Sequence, residues 1–161
     1  MVAATAFLVQ RGVVPYQFSV AAGRGLKSID TTVHLQQAFA SIGLSPNFTG
    51  NGADILAVSV NEWWAVECKG SGAGKPQTQR NNFDRALASV VSYYEEKPRG
   101  LSIKYANATV FIALALPETK AYLNELRKRV RTALRKRLNL WILLYQCDSK
   151  KIRAVGPDQE I

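Results

Sequence analysis

Asp54, Glu67 and Lys69 are residues whose types and spacing could do chemistry. Glu67 and Lys69 stand two apart at the end of the run Trp63-Trp64-Ala65-Val66, and alternate side chains of an extended strand share a face, so both point the same way. The stretch Ala53 to Val60 reads as a second strand, with Asn61-Glu62 as the polar break between the two. A hairpin about that break, through a two- or four-residue loop, predicts Val60 opposite Trp63, Leu56 opposite Glu67 and Asp54 opposite Lys69. The three groups then converge on one face, whereas a one-residue slip would scatter them. Two carboxylates beside an ammonium suit a hard divalent cation, because Mg²⁺ takes oxygen ligands, commonly one or two carboxylates with waters and substrate phosphate. The amine can hold or deprotonate an attacking water, or meet charge developing on a phosphate. The bland alternative is a cross-strand ion pair on a solvated face, with Asp54 capping a turn. Against it, Trp64, Val66 and Cys68 on the opposite face and the run Ile55 to Val60 are apolar, which places the charges at the end of buried strands.

Gly52-Ala53-Asp54, twelve intervening residues, then Glu67-Cys68-Lys69: in this pattern the chain resembles the PD-(D/E)xK nuclease superfamily, with an acid at the start of one strand and (D/E)xK on the next. Alanine stands before Asp54 in place of the proline of the signature. The resemblance implies an α/β fold, a restriction-endonuclease-like core in which a central mixed β-sheet is flanked by helices on both faces. It implies catalytic roles for Asp54, Glu67 and Lys69. The metal, Mg²⁺ with Mn²⁺ as substitute, would be held by Asp54, Glu67 and the backbone carbonyl of Cys68, while Lys69 positions or activates water. Members of the family often carry a further glutamate on the first core helix; no glutamate occurs there in this chain.

The elements that must position these residues follow from periodicity. From Ser28 or Asp30 to Ile42, Val33, Leu35, Ala38, Phe39 and Ile42 recur at helical spacing and Gly43 supplies the stop. Asp30, His34 and Gln37 share its outer side; Asp30 suits a helix cap, and His34 is a candidate for the site weighed against an ordinary surface histidine. Ser45 to Gly52 is turn chemistry that delivers the chain to the first catalytic strand. After Lys69, the run Gly70-Ser71-Gly72-Ala73-Gly74-Lys75-Pro76 is one residue short of a phosphate loop and has proline where that loop needs Ser or Thr. It reads instead as a loop at the mouth of the site, with Lys75 able to meet a phosphate.

Thr78 to Glu96 is a helix by period, with Phe83, Leu87, Val90, Val91 and Tyr94 as its inward stripe. Gln79 and Arg80 lie on its first turns, where a helix start and cationic side chains favour phosphate; the competing account makes them solvated outer-face residues. The resemblance supports the first, since related helices often carry glutamine or arginine near the start and end in tyrosines, as Tyr93-Tyr94 do here. Lys97 to Gly100 ends this helix, and Thr109 to Leu116 is a strand buried on both faces, with Pro117 closing it and starting the next helix.

Glu118 to Leu138 is the other conspicuous stretch. Leu123, Leu126, Val130, Leu134 and Leu138 form an inward stripe of a single helix, and eight cationic against two acidic residues give it +6 of the chain's +9. Such a face either neutralises several phosphates or simply keeps the protein in solution. Leu140 to Tyr145 is another buried strand, and Lys151 to Val155 a short edge strand. At the other end, Val2 to Gln10 reads as a short helix, Val13 to Val20 as an edge strand broken by Pro15, and Gly23-Arg24-Gly25 as a joint.

Length bounds the rest. The 161 residues are expected to form one domain, 1–161, with 1–25 as an N-terminal extension and 156–161 as a tail. Cys68 and Cys147, with a single histidine, exclude a disulfide framework and a zinc site of the usual spacing. Without a disulfide framework a reducing, cytoplasmic setting is expected. No apolar run reaches membrane length, so no membrane is expected, and the net charge of +9 points to nucleic acid, DNA, as partner. Function is expected to be Mg²⁺-dependent hydrolysis of DNA phosphodiester bonds, as a homodimer or part of a larger nuclease assembly in some family members. The alternative is a non-catalytic nucleic-acid-binding module that keeps the fold.

Overall fold

In the computed structural model, residues 1–20, 28–50, 52–70, 76–95 and 105–161 are described, the side chains of 28–31 and 76 excepted. Lys75, the joint at 23–25 and the helix-ending run 97–100 lie outside the described residues, as does the side chain of Asp30. The elements are α1 (Val2–Gln10), β1 (Val14–Ser19), α2 (Ser28–Ala40), β2 (Phe48–Thr49), β3 (Ile55–Val58), β4 (Glu62–Cys68), α3 (Pro76–Ser92), β5 (Thr109–Pro117), α4 (Lys120–Arg129), α5 (Thr132–Leu138), β6 (Leu140–Gln146) and β7 (Lys151–Val155).

The strands form one seven-stranded sheet in the order β2-β1-β3-β4-β5-β6-β7. β1 with β2, β4 with β5 and β5 with β6 are parallel, and the other pairs antiparallel, so the sheet is mixed. Alternation along β4 divides the core in two. Trp63 and Ala65 face a layer with Phe83, Ala86 and Val90 of α3 and Tyr122 and Leu126 of α4. Trp64 and Val66 face a layer with Ala4 and Leu8 of α1 and Phe39 of α2. The architecture is thus α/β, helices on both faces of a mixed sheet, as expected. Central β4, β5 and β6 read as continuous apolar runs because both faces are covered.

Five expectations are corrected in detail. The β3–β4 hairpin pairs Val58 with Trp63 and Leu56 with Ala65, two residues from the expected register. The cause is the turn: the Ser59 N–H bonds to the Glu62 carbonyl at 2.7 Å, and Ser59 Oγ accepts from the Glu62 N–H at 3.1 Å, which fixes Ser59 to Asn61 as turn rather than strand. A shift of two leaves every side chain on its predicted face. Pro15, which has no N–H to give, sits at a register irregularity in β1, and β2 lies outside that strand, so β1 is not the edge. Pro117 stays in β5, paired with Tyr145, and the next helix is capped instead by Thr119, whose side chain accepts from the Tyr122 N–H.

The basic segment is two helices, not one. Val130 (φ −109°, ψ 69°) and Arg131 (φ −63°, ψ 150°) leave the helical region between α4 and α5. The break shifts the phase, so Leu134 is exposed while Arg135 is buried. A similar phase error affects α3, where Phe83, Ala86 and Val90 are buried and Val91 and Tyr94 are exposed. Counting Ala86 as an inward residue rotates the stripe and turns Tyr93, not Tyr94, toward the sheet.

Candidate active site

Glu67 is buried because β4 is central, and its parity places it on the α3 side of the sheet, in step with Trp63 and Ala65. A carboxylate in such a place needs partners. It has two: the Lys69 ammonium donates to Oε1 at 2.6 Å, and the Tyr93 hydroxyl donates to Oε2 at 3.0 Å. Lys69 remains about a third exposed, so its head can also reach solvent or a ligand.

Asp54 comes from the turn before β3. The pairing of Ile55 with Val66 carries it to the level of Glu67, and its Oδ2 accepts the Cys68 N–H at 2.6 Å. The side chain thereby makes the bond that would continue the β3–β4 ladder, and the Asp54 carbonyl is held in turn by the Ser19 N–H at 3.0 Å. Gly52, at φ +94°, makes the bend that turns the chain into this position. Because the N–H and carbonyl of an extended residue point to the same side, the Cys68 carbonyl also faces the strand of Asp54.

The electrostatics are those of two anions in a confined corner. Burial first, and the charge of Glu67 second, push the Asp54 carboxyl up to about 6, against the lowering influence of the Cys68 N–H and Lys69. Burial and the neighbouring Glu67 also raise the Tyr93 hydroxyl, which therefore stays protonated and serves as a donor. The Cys68 thiol faces the opposite layer, and burial raises it to about 11, so it is no thiolate ligand at neutral pH. The residues fit a hard cation: a second positive charge would relieve the repulsion that lifts Asp54, and Asp54 Oδ1 makes no hydrogen bond among the described residues. Among the described residues no group of three or more His, Cys, Asp or Glu side chains gathers for a metal, so such an ion would rest on two carboxylates and a carbonyl.

The structure brings Asp54, Glu67, Cys68 and Lys69 together and places His34 elsewhere. His34 is exposed on α2, whose Leu35 and Phe39 pack in the layer on the far side of the sheet from Glu67. Arg80 is exposed and lies 3.8 Å from Glu125 of α4, about 20 Å along the helix from Tyr93 at 1.5 Å per residue. Gln79, half-buried, precedes it on the same turn. Two tyrosines were not singled out for the site from the sequence. Tyr93 holds Glu67, and Tyr122, buried at the start of α4, donates to the Gly70 carbonyl at 3.0 Å and so fixes the chain just beyond Lys69. The tyrosine pair at the end of α3 was the available signal for the first; nothing marked the second.

Much of the α4–α5 charge is engaged. Arg135 donates from Nη1 to the Gly156 carbonyl at 2.8 Å and from Nη2 to the Gln159 carbonyl, and burial pushes its pKa down. Arg129 pairs with Asp84 and Glu125, Lys136 with Asp158, and Arg127 donates to the Ile161 carbonyl. No described helix is long and apolar enough to cross a membrane.

No family model matches the chain, and no curated protein does. Two solved structures are similar in shape. One is a FdxN element excision controlling factor protein from Anabaena variabilis, 17% identical, with 94% of this chain and 92% of that one covered at a TM-score of 0.48. The other is an XisH family protein from Nostoc punctiforme, 16% identical, with 94% and 93% covered and a TM-score of 0.48. Likeness at this level bears on neither activity nor substrate.

Proposed function

We propose that this chain is a metal-dependent nuclease that hydrolyses DNA phosphodiester bonds, in keeping with its resemblance to the PD-(D/E)xK superfamily. The observation that carries the proposal is the meeting of Asp54 and Glu67 at adjacent strand ends, close enough for one to raise the other's pKa, with the Lys69 ammonium 2.6 Å from Glu67. Asp54, Glu67 and the Cys68 carbonyl would hold a divalent cation, Mg²⁺ or Mn²⁺. When bound, such an ion supplies Lewis acidity toward a phosphate oxygen and lowers the pKa of water. The chain's own part is positional. Asp54 is fixed by the Cys68 N–H, and Glu67 is oriented from both sides by Lys69 and Tyr93. Lys69 keeps an exposed head with donors beyond the one given to Glu67, and these suit a water or the phosphate charge that grows in the transition state. Lys75, Gln79 and Arg80 are proposed to contact the backbone of the nucleic acid, with a second copy or a larger assembly as a further partner.

A second function, a nucleic-acid-binding module without catalysis, is favoured by one observation: both oxygens of Glu67 already have donors, so that side chain is satisfied without a cation. A cleavage panel of single-stranded, duplex, flapped and branched DNA with Mg²⁺ or Mn²⁺ decides between them. Cleavage by the wild type that is lost in Asp54→Ala, Glu67→Ala and Lys69→Met supports the nuclease. Intact DNA throughout, with salt-sensitive binding that ignores divalent ions, supports the module.

A further inference from the structure

Tyr93 follows directly on α3 and offers one phenolic proton to two acceptors, Glu67 Oε2 at 3.0 Å and the Gly52 carbonyl oxygen at 3.3 Å. Those acceptors belong to the two chain segments that carry the acids: Glu67 is itself one of them, and Gly52 precedes the other by two residues. The Tyr93 ring packs against the core layer that includes Phe83, Val90 and Ala53, so the hydroxyl is aimed by a side chain with only two soft torsions. Lys69, on a long and partly exposed stem, offers no comparable rigidity.

We infer that Tyr93 is the positioning residue of the carboxylate pair, tying Glu67 to the turn that carries Asp54. The inference rests on the cation-holding role given above to those two acids. Shared between the two acceptors, the one proton holds the Glu67 carboxylate against the Gly52 turn, while the carboxylate oxygens keep further lone pairs open to a cation. Removing the hydroxyl and keeping the ring takes away this tether but little packing. The expected consequence is a cation affinity about tenfold weaker, the lower end of what loss of an outer-shell partner costs.

Titration calorimetry with Mn²⁺ alone tests this on the wild type, Tyr93→Phe and the exposed neighbour Tyr94→Phe. Wild type and Tyr94→Phe should bind alike and Tyr93→Phe about tenfold more weakly, with circular dichroism unchanged. In the cleavage assay, raising Mn²⁺ to saturation should restore the turnover of Tyr93→Phe but not of Glu67→Ala, a distinction that a packing role would not produce. Equal Mn²⁺ affinities for wild type and Tyr93→Phe overturn the inference while leaving the nuclease proposal standing. A turnover deficit in Tyr93→Phe that saturating Mn²⁺ does not relieve also overturns it. Absence of Mn²⁺ binding by the wild type removes both.

Discussion

Charge is handled in opposite ways at the β3–β4 corner and along α4–α5. The corner holds two carboxylates against one ammonium, and burial first, with the charge of Glu67 second, lifts the Asp54 carboxyl to about 6. The α4–α5 segment carries most of the net positive charge of the chain, yet four of its eight cations are engaged: Arg129 by Asp84 and Glu125, Lys136 by Asp158, Arg135 and Arg127 by carbonyls near the C-terminal end of the chain. Charge counted along a sequence therefore does not say which cations remain available to a ligand, whereas a small imbalance in a buried corner is magnified by low dielectric. The basic segment also runs away from the corner: Tyr122 at the start of α4 reaches Gly70, while α5 ends at the other end of the sheet. Glu67 is near the C-terminal end of β4, whereas α5 leads into the N-terminal end of β6, where Leu140 pairs with Ile112.

The sharpest way to break this comparison is to truncate a residue from each side. Glu67→Ala should reduce Mn²⁺-dependent DNA cleavage by more than about 100-fold, beyond what an outer-shell partner costs, as read from initial rates. An equal loss from Arg137→Ala would mean that the basic segment, not the corner, governs activity.

Next in size is a stability effect on the basic side. Arg135→Ala leaves the Gly156 and Gln159 carbonyls without their charged donor and should lower unfolding free energy by about 3–5 kcal/mol in urea denaturation. Arg135 would then be a structural residue despite its place in a run that looks made for phosphate.

Asp54→Asn should act in the other direction and depend on pH. The folded-state carboxyl titrates near 6, above its ordinary value of 3.8, so the folded chain retains a proton that the unfolded chain has lost. Stability contributed by this group is therefore full below about pH 4, declines as pH rises to 6, and is a constant deficit above that. In chelator, the neutral amide should stabilise the protein by up to about 3 kcal/mol at pH 8 and by only about 0.5 kcal/mol at pH 4, since each pKa unit is worth about 1.4 kcal/mol. Thermal melts at the two pH values measure the difference. The gain should shrink when Mn²⁺ is added, because only the carboxylate profits from the cation.

The smallest effect is expected for Arg131 and Arg137, exposed cations that make no ion pair among the described residues. Arg131→Ala with Arg137→Ala should shift stability by no more than about 0.5 kcal/mol, against the much larger change at Arg135, four residues from one and two from the other. The same melts report it.

Sequence determined the alternation that sets Glu67 and Lys69 on one face of β4, since strand period is a local property that a two-residue register shift cannot disturb. It also determined the apolar runs of β4, β5 and β6, and with them a sheet covered on both sides. Register itself was decided by the Ser59 turn, whose side-chain bonds compete with the strand and leave no periodic trace. The phases of α3 and α5 were likewise settled only in three dimensions: small Ala86 can face inward as well as a leucine can, and a break at Val130–Arg131 exchanges Leu134 for Arg135. Tertiary packing alone brought Tyr93 and Tyr122 to the corner from helices 26 and 52 residues away in the chain. Contacts that span such separations depend on how helices cross the sheet, and no pattern within either helix encodes that.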